Sequence, residues 1–341
     1  MNERLGVVAI GRNEGERLRR CLTSLLGPSR PLVYVDSGST DDSVAFARSI
    51  GATVVELDRG TPFTAARARN LGFAKLLESA PDLEFVQFVD GDCEVVSGWI
   101  ERALAELRAD PSLAVVCGRR RERYPDASFY NRLCDLEWDT PIGDAEACGG
   151  DAMMRAQPLH EVGGYNPELI AGEEPELCLR LRQRGWRIRR VDAEMTLHDA
   201  AITRFGQWWK RTLRGGHAYA EAAGRHGHEP GHAGVRDSMS IWFWAMGVPV
   251  AALGLAPFTM GGSLTLLGGY PVLAARIYKG GRRRGMSGRD AALYSASCVI
   301  GKAPQLLGQI LYWKKRLTGE QGSLIEYKGP EPPGQASSAA G

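Results

Sequence analysis

The alternation of strand and helix patterns over residues 5–115 is the feature that most limits how this chain can fold. Short apolar segments typical of strands alternate with segments whose apolar residues recur every three or four positions, as in helices. The predicted strands are residues 6–10, 31–35, 53–57 and 83–89, and the predicted helices are residues 13–26, 39–50 and 64–79. Repeated strand–helix units predict an α/β fold with a parallel sheet and right-handed crossovers.

The fourth predicted strand ends in Asp90-Gly91-Asp92. In open α/β sheets, ligands bind beyond the carboxyl ends of the strands. Two carboxylates at that place favour a hard cation such as Mg²⁺ or Mn²⁺, which proteins usually share with substrate phosphates. Gly91 has no side chain, so a diphosphate can approach the backbone closely. On its own, a triplet this short is more often a solvated turn.

Polar residues also follow the first two predicted strands and occupy the helix before the fourth. Asp36 can accept hydrogen bonds from a nucleoside base or ribose, and the Gly-Ser-Thr turn after it leads into a helix N-terminus, where phosphates bind. Arginines on the third helix match phosphate oxygens. Helix capping and ordinary surface arginines are the alternative explanations. The candidate donor-binding residues here are Asn13, Glu14, Asp36, Ser37, Gly38, Arg67, Arg69, Asn70, Asp90 and Gly91.

Composition limits the classes of protein to which this chain can belong. The chain has 341 residues and 44% hydrophobic residues, enough for a globular core, and its net charge of +2 gives no argument for nucleic-acid binding. Its seven cysteines include no CxxC pair, so we expect neither a zinc site nor a disulfide framework. Reduced thiols and the absence of a signal peptide pattern predict a cytosolic N-terminal domain.

Residues 239–278 differ sharply in composition, because they contain no Asp, Glu or Lys and a single Arg. A spanning helix needs about 20 such residues, so the segment is long enough for two that hinge near Gly261-Gly262. The basic loop 279–289 would then return to the cytosol. Residues 291–312 are predicted to form an interfacial amphipathic helix, which makes residues 239–316 a membrane-associated helical region. A buried helical subdomain is the alternative, and residues 328–341 are predicted to be disordered.

Three segments occur together and in order: residues 36–43 (DSGSTDDS), residues 66–72 (ARARNLG) and residues 90–92 (DGD). In this combination residues 5–220 resemble family 2 of the inverting glycosyltransferases, which have the GT-A fold. The resemblance is to the membrane-associated type that builds bacterial polysaccharides and glycolipids. It implies a GT-A domain over residues 1–236, with a nucleotide-sugar-binding half at 1–115 and an acceptor half at 116–236.

The resemblance also implies residue roles. Asp36 would recognise the base, and Asp92, with Asp90, would bind a divalent metal. Residues 172–177 (GEEPEL) resemble the family's acidic segment, so Glu174 would be the catalytic base, although Glu173 remains open because Glu replaces the usual Asp. The other residues implied are His198 as a metal ligand, Lys210 and Arg211 at the diphosphate, and Gly150 and Asp151 on the acceptor side.

The implied activity is inverting transfer of a sugar from a nucleoside-diphosphate sugar to an acceptor hydroxyl, with Mn²⁺ or Mg²⁺. The expected acceptor is lipid-linked or a polysaccharide precursor, reached from the cytoplasmic side of an inner or plasma membrane. A nucleotidyltransferase is an alternative, but residues 11–14 (GRNE) lack the glycine-rich loop with lysine that it would need. A non-catalytic membrane scaffold with the same fold is the second alternative.

Overall fold

The structure is a computed structural model that describes residues 4–27, 30–58, 60–229 and 233–319. The chain folds into two compact units. Within the described residues, the first unit contains residues 4–124 and 137–201, and the second contains residues 125–136 and 202–319. The sequence predicted a domain boundary at residue 236, but this residue lies inside the second unit. The long helix that begins at Phe205 belongs to the second unit because it packs against the last helix described.

Nine strands form one sheet in the described part of the first unit. They are β1 (Leu5–Gly11), β2 (Leu32–Asp36), β3 (Thr53–Glu56), β4 (Phe85–Asp90), β5 (Cys93–Val95), β6 (Leu113–Glu122), β7 (Gly143–Asp144), β8 (Ala152–Arg155) and β9 (Arg187–His198). The first four agree closely with the strands predicted from the sequence.

The helices divide between the two units. They are α1 (Glu16–Leu25), α2 (Ser43–Ser49), α3 (Ala65–Ser79), α4 (Trp99–Ala109), α5 (Phe129–Glu137), α6 (Ala156–Glu161), α7 (Glu173–Gln183), α8 (Phe205–His226), α9 (Val235–Trp242), α10 (Val248–Gly254), α11 (Gly269–Arg283), α12 (Gly288–Ile300) and α13 (Lys302–Thr318). Short 3₁₀ helices lie at Pro125–Ala127 and Gly262–Gly268, and a π-helical turn lies at Phe243–Gly247.

The sheet has a parallel half and a mixed half. Strand β1 pairs in parallel with β2 and β4, and β2 pairs in parallel with β3, which confirms the predicted parallel arrangement. Beyond β4, strand β8 runs antiparallel between β4 and β6. Strand β9 is parallel to β6 but antiparallel to β5 and β7. The fold is thus α/β with a mixed sheet.

Helix α3 lies unusually close to the sheet. Strand β1 is almost completely buried, and Gly72 of α3 faces it. A Cβ atom built on Gly72 would overlap the side chain of Val8 and press on that of Val35. The glycine therefore sets the distance between α3 and the strands whose ends carry the candidate site.

The second unit is helical, and α8 and α13 form its closest helix pair. A Cβ on Gly216 would overlap the backbone of Gln305, and a Cβ on Gly308 would overlap the carbonyl of Leu213. The small residues let the two backbones touch, so α13 uses one face to pack on α8.

The two spanning helices predicted for residues 239–278 are not present in the structure. Helix α10 ends at Gly254, and the chain then turns, with Gly261 at φ +84°, into the 3₁₀ helix before α11. Across the described ranges, no helix combines the length and the apolar character needed to cross a membrane. The predicted helix over residues 291–312 is two helices, α12 and α13, which meet at Gly301. The tail 328–341 lies outside the described residues.

We expect Gly72→Ala to lower the free energy of unfolding by about 1–3 kcal/mol, because the added methyl group must displace packed valines. Urea unfolding of the full chain measures this. Gly206→Ala is the matched control, since a Cβ there meets nothing within 4 Å. An unchanged unfolding midpoint in Gly72→Ala would contradict the close packing of α3.

Candidate active site

Two predicted site residues end the strands β2 and β4, which lie on either side of β1 in the parallel half. In the register of β1 with β2, Gly11 pairs with Asp36, and in that of β1 with β4, Ile10 pairs with Asp90. Asp36 and Asp90 therefore flank the end of β1 at one edge of the sheet. This is the edge where open α/β folds bind ligands.

The loop after β2 is held by its own polar groups. Asp36 is 2% exposed, and its Oδ2 accepts hydrogen bonds from the backbone amides of Gly38 (2.9 Å) and Ser39 (2.8 Å). Asn13 adopts φ +54°, which asparagine tolerates, and its Oδ1 accepts a 2.7 Å bond from the Thr40 amide. Asp36 and Asn13 thus fix the shape of this loop.

Three more of the residues predicted to bind the sugar donor lie near this loop. The Ser37 amide donates to the last carbonyl of β1 at 3.0 Å. Glu14 forms a 3.0 Å ion pair with the buried Arg17. The Gly91 amide donates to the carbonyl of Ile10 at 2.7 Å, and a Cβ on Gly91 would lie 3.0 Å from that oxygen. Gly91 therefore allows β4 to turn tightly over β1.

The polar residues of α3 point to different places. Arg67 donates to the carbonyls of Asp58 (3.1 Å) and Thr61 (2.9 Å), so it braces the loop before its own helix. Asn70 donates to the carbonyl of Tyr165 and accepts from its amide, at 2.7 and 2.8 Å. Neither side chain joins the charged cluster at Asp90.

Arg69 does join that cluster. It is buried and forms ion pairs with Asp90 (2.7 Å) and Glu173 (3.0 Å), and Arg120 contacts Asp90 at 3.3 Å. Burial alone would raise the pKa of Asp90, but the two guanidinium groups outweigh it and hold that pKa well below the usual range. Asp90 is therefore a carboxylate stabilised by two arginines.

Asp151 supports this cluster from inside. Its side chain is fully buried, and it accepts hydrogen bonds from the Asp90 amide (2.9 Å) and the Thr196 hydroxyl (2.8 Å) and pairs with Arg120 at 2.8 Å. A Cβ on Gly150 would lie 2.6 Å from Asp90 Oδ2. In this structure, the predicted acceptor residues Gly150 and Asp151 position Asp90, and the buried carboxylate of Asp151 is not open to a sugar hydroxyl.

Asp92 and His198 meet beside this cluster. Strand β5 pairs with β9 so that Cys93 lies opposite His198, and Asp92 Oδ2 lies 3.3 Å from His198 Nε2. Ligand atoms of Asp92, Cys93 and His198 all lie within 4.8 Å of one another. The rings of His198 and Trp138 form a T-shaped pair, with 4.6 Å between their centroids. The structure thus brings two of the predicted metal ligands together, whereas Asp90 faces the arginines.

The chemistry of this donor set fits Mn²⁺ or Mg²⁺, and Mn²⁺ better because one donor is an imidazole. Asp92 and His198 are both buried, and among the described residues the Nδ1 atom of His198 has no hydrogen-bond partner. Glu122 Oε2 lies 3.7 Å from that atom, on the side of the ring away from Asp92. Burial raises the pKa of the Cys93 thiol, and sulfur is a poor ligand for the hard cations Mg²⁺ and Mn²⁺, so Cys93 is not counted among the ligands.

The two candidate bases at the start of α7 have different surroundings. Glu173 Oε1 is paired with Arg69. Glu174 Oε1 accepts hydrogen bonds from the backbone amide of Cys148 and from the thiol of Cys178. Within the described part of the chain, the hydrogen bonds of Glu174 involve Oε1, so this oxygen is the anchored one.

Some site residues were not predicted from the sequence, and two residues that were predicted belong to the second unit. The predicted site residues are contacted by three others, namely Arg120, Thr196 and Cys148. Arg120 belongs to a basic segment of β6 that resembles a solvated face in the sequence. Side chains alternate along a strand, however, so every second residue of that segment would point inward. Lys210 and Arg211 lie on α8 in the second unit. Their contact with a diphosphate stays a prediction.

Residues 7–160 match the family model of glycosyl transferase family 2. A pre-mycofactocin glycosyltransferase of Mycobacterium tuberculosis is 29% identical over 236 residues, which cover 64% of this chain and 47% of that relative. Glycosyltransferase AglE of Haloferax volcanii is 22% identical over 217 residues, 60% of this chain and 69% of the relative. This chain therefore spans about half the length of the mycobacterial relative.

A solved structure has a similar fold. Mannosyltransferase PcManGT from Pyrobaculum calidifontis, in complex with GDP-Man and Mn²⁺, superposes with a TM-score of 0.59 and 20% identity over 92% of this chain and 88% of that one. Together with the mixed α/β sheet and the family match, this likeness supports the predicted GT-A fold.

We expect Asp92→Asn and His198→Gln each to weaken Mn²⁺ binding by roughly tenfold or more, because each removes one ligand. The fraction of free Mn²⁺ in an electron paramagnetic resonance titration measures this. Cys93→Ser is the matched control and should bind Mn²⁺ as the unchanged protein does. Equal Mn²⁺ affinity in all four proteins would exclude Asp92 and His198 as the cation site.

Proposed function

We propose that this protein is an inverting glycosyltransferase that moves a sugar from a nucleoside-diphosphate sugar to an acceptor hydroxyl. The observation that carries the proposal is the pairing of Asp92 with His198 beside the partly buried Asp90–arginine cluster, at the carboxyl ends of parallel strands. The match of residues 7–160 to glycosyl transferase family 2 supports it independently.

Asp92 Oδ2 and His198 Nε2 would hold Mn²⁺ or Mg²⁺. When bound, the cation neutralises charge on the diphosphate leaving group. Arg69 and Arg120 hold Asp90 ionised at the same edge. The loop after β2, whose shape Asp36 and Asn13 fix, leads into the N-terminus of α2, where anions are favoured. The donor end of the site is therefore preorganised by the fold.

Glu174 is the general base in this proposal. The Cys148 amide and the Cys178 thiol orient its Oε1, and Oε2 takes the proton from the acceptor hydroxyl. The deprotonated oxygen attacks the anomeric carbon on the face opposite the diphosphate. One displacement inverts that carbon, so a single base suffices and no enzyme carboxylate is glycosylated. Glu173, held by Arg69, belongs to the donor side.

We further propose that the second unit binds a membrane surface, where a lipid-linked acceptor would be reached. The support is an apolar hairpin, defined as residues 243–272, whose ends meet where Tyr270 donates to the carbonyl of Trp244. The hairpin has no charged residue. Its exposed large side chains include Phe243, Val250, Leu253, Leu255, Phe258, Met260, Leu264 and Val272.

An exposed apolar patch of this extent is uncommon on soluble monomers and is typical of membrane or protein contact. Its short, interrupted helices suit insertion into one leaflet rather than spanning. Basic residues follow the hairpin, at Arg276, Lys279 and residues 282–284, where they would meet anionic headgroups. Because the cytoplasmic leaflet carries the anionic lipids that attract basic segments, we propose the cytoplasmic face of an inner or plasma membrane as the location.

The activity test is nucleoside diphosphate release from UDP-, GDP- and dTDP-sugars with Mn²⁺, with and without a lipid extract as acceptor. We expect Glu174→Gln to lower kcat by about 10²–10⁴-fold, because general base catalysis contributes that much. Glu173→Gln should instead raise KM for the donor. Glu161→Gln, an exposed acid of the same unit, is the control. Loss of kcat in Glu173→Gln but not in Glu174→Gln would reverse the two roles, and no release from any donor would favour a scaffold.

The membrane test is flotation of the full chain with vesicles of phosphatidylcholine and phosphatidylglycerol. Phe258 is 83% exposed and Met260 fully exposed, so we expect the double change Phe258→Ser with Met260→Ser to weaken binding by roughly tenfold or more. Phe129→Ser, which changes a 61% exposed residue of α5, is the matched control. Equal flotation of the double variant and the control would contradict insertion of the hairpin.

A further inference from the structure

A second group of potential metal ligands lies behind Glu174. The Sγ atoms of Cys148 and Cys178 are 3.6 Å apart, and Cys178 Sγ is 3.3 Å from Glu174 Oε1. Ligand atoms of all three residues lie within 4.8 Å of one another, and all three residues are buried. The site therefore offers two thiols and one carboxylate oxygen that already converge.

These spacings agree with tetrahedral coordination. With metal–sulfur and metal–oxygen distances of about 2.3 and about 2.1 Å, a tetrahedral zinc site separates two sulfurs by about 3.8 Å and a sulfur from an oxygen by about 3.6 Å. The observed separations of 3.6 and 3.3 Å differ from these by a few tenths of an ångström. Small side-chain adjustments would accommodate a cation.

We propose that Cys148, Cys178 and Glu174 form a binding site for a thiophilic divalent cation of the Zn²⁺ class, distinct from the Asp92–His198 site. Two thiolates and one carboxylate make three protein ligands and leave a fourth position open. Binding exchanges two thiol protons for one cation, so no oxidant or reductant takes part. A hard cation such as Mg²⁺ is disfavoured there, because sulfur ligands select softer metals.

A disulfide is the competing fate of two adjacent cysteines, but the surroundings disfavour it. The hydrogen bond with Cys178 and burial both raise the pKa of the Cys148 thiol. The thiolate is the form that attacks oxidants, so these thiols are poor targets for oxidation. Cation binding is different because the cation itself stabilises the thiolates.

The consequence for activity rests on the proposed function. Glu174 would be both a ligand of the soft cation and the base for the acceptor hydroxyl. A cation bound through its carboxylate would compete with proton transfer, so Zn²⁺ would inhibit the Mn²⁺-supported reaction. Cation binding itself does not depend on that role.

The test is titration of the full chain with Cd²⁺ in excess Mg²⁺, followed by the ultraviolet sulfur-to-cadmium charge-transfer band. It is done in a Cys93→Ser background, which removes the thiol beside Asp92. We expect the band to fall by about half when either Cys148→Ser or Cys178→Ser is added, since each removes one of the two thiolates. Cys298→Ser, on α12, is the matched control and should leave the band unchanged.

An unchanged band in both the Cys148→Ser and Cys178→Ser proteins, or no band in the Cys93→Ser background, would overturn the proposal. If a serine variant does not fold, Glu174→Gln decides instead, because loss of the oxygen ligand should weaken Cd²⁺ binding by roughly tenfold or more. A separate assay asks whether Zn²⁺ inhibits sugar-nucleotide turnover less in Cys148→Ser. A cadmium band together with no turnover in Mn²⁺ alone, without Cd²⁺ or Zn²⁺, would refute the proposed function and leave the cation site standing.

Discussion

The paired charges around Asp90 are the constraint on which the rest of the candidate site depends. A buried charge loses its hydration and must be compensated by partners. Asp90 ends β4, and it meets Arg69 from α3 and Arg120 from β6, while Asp151 holds its backbone amide. Arg69 also pairs with Glu173, and Arg120 also pairs with Asp151, so each arginine holds two carboxylates. The cluster therefore fixes the turn that carries Asp92 towards His198.

The sequence predicted the parallel half of the sheet because its signals are local. Apolar strands, helical periodicity and turn residues all lie within a few positions of one another in residues 5–90. The mixed half depends on pairings between distant segments, such as β5 with β9, which no local pattern reports. For the same reason, the sequence did not predict the contact of Arg120 with Asp90 or the buried position of Asp151. Cys148 and Cys178 lie 30 positions apart and form no CxxC pair, so the sequence did not predict that they are adjacent in the structure.

The two spanning helices were predicted from composition alone, and the prediction was wrong for a physical reason. Forty residues without Asp, Glu or Lys are long enough to cross a bilayer twice. Glycines at 254, 261 and 262 and Pro257 interrupt that stretch, so helix α10 has only seven residues. The apolar character remains, but it is displayed on the surface of the hairpin.

We propose that Asp92 and His198 hold the divalent cation of a nucleotide-sugar site. The most direct measurement is the anomalous difference density of a crystal grown with Mn²⁺ and the nucleoside diphosphate of the best donor. We expect one strong manganese peak within about 2–2.5 Å of an Asp92 oxygen and His198 Nε2, shared with the diphosphate. A manganese peak elsewhere, or bound nucleotide with no manganese at these residues, would contradict it.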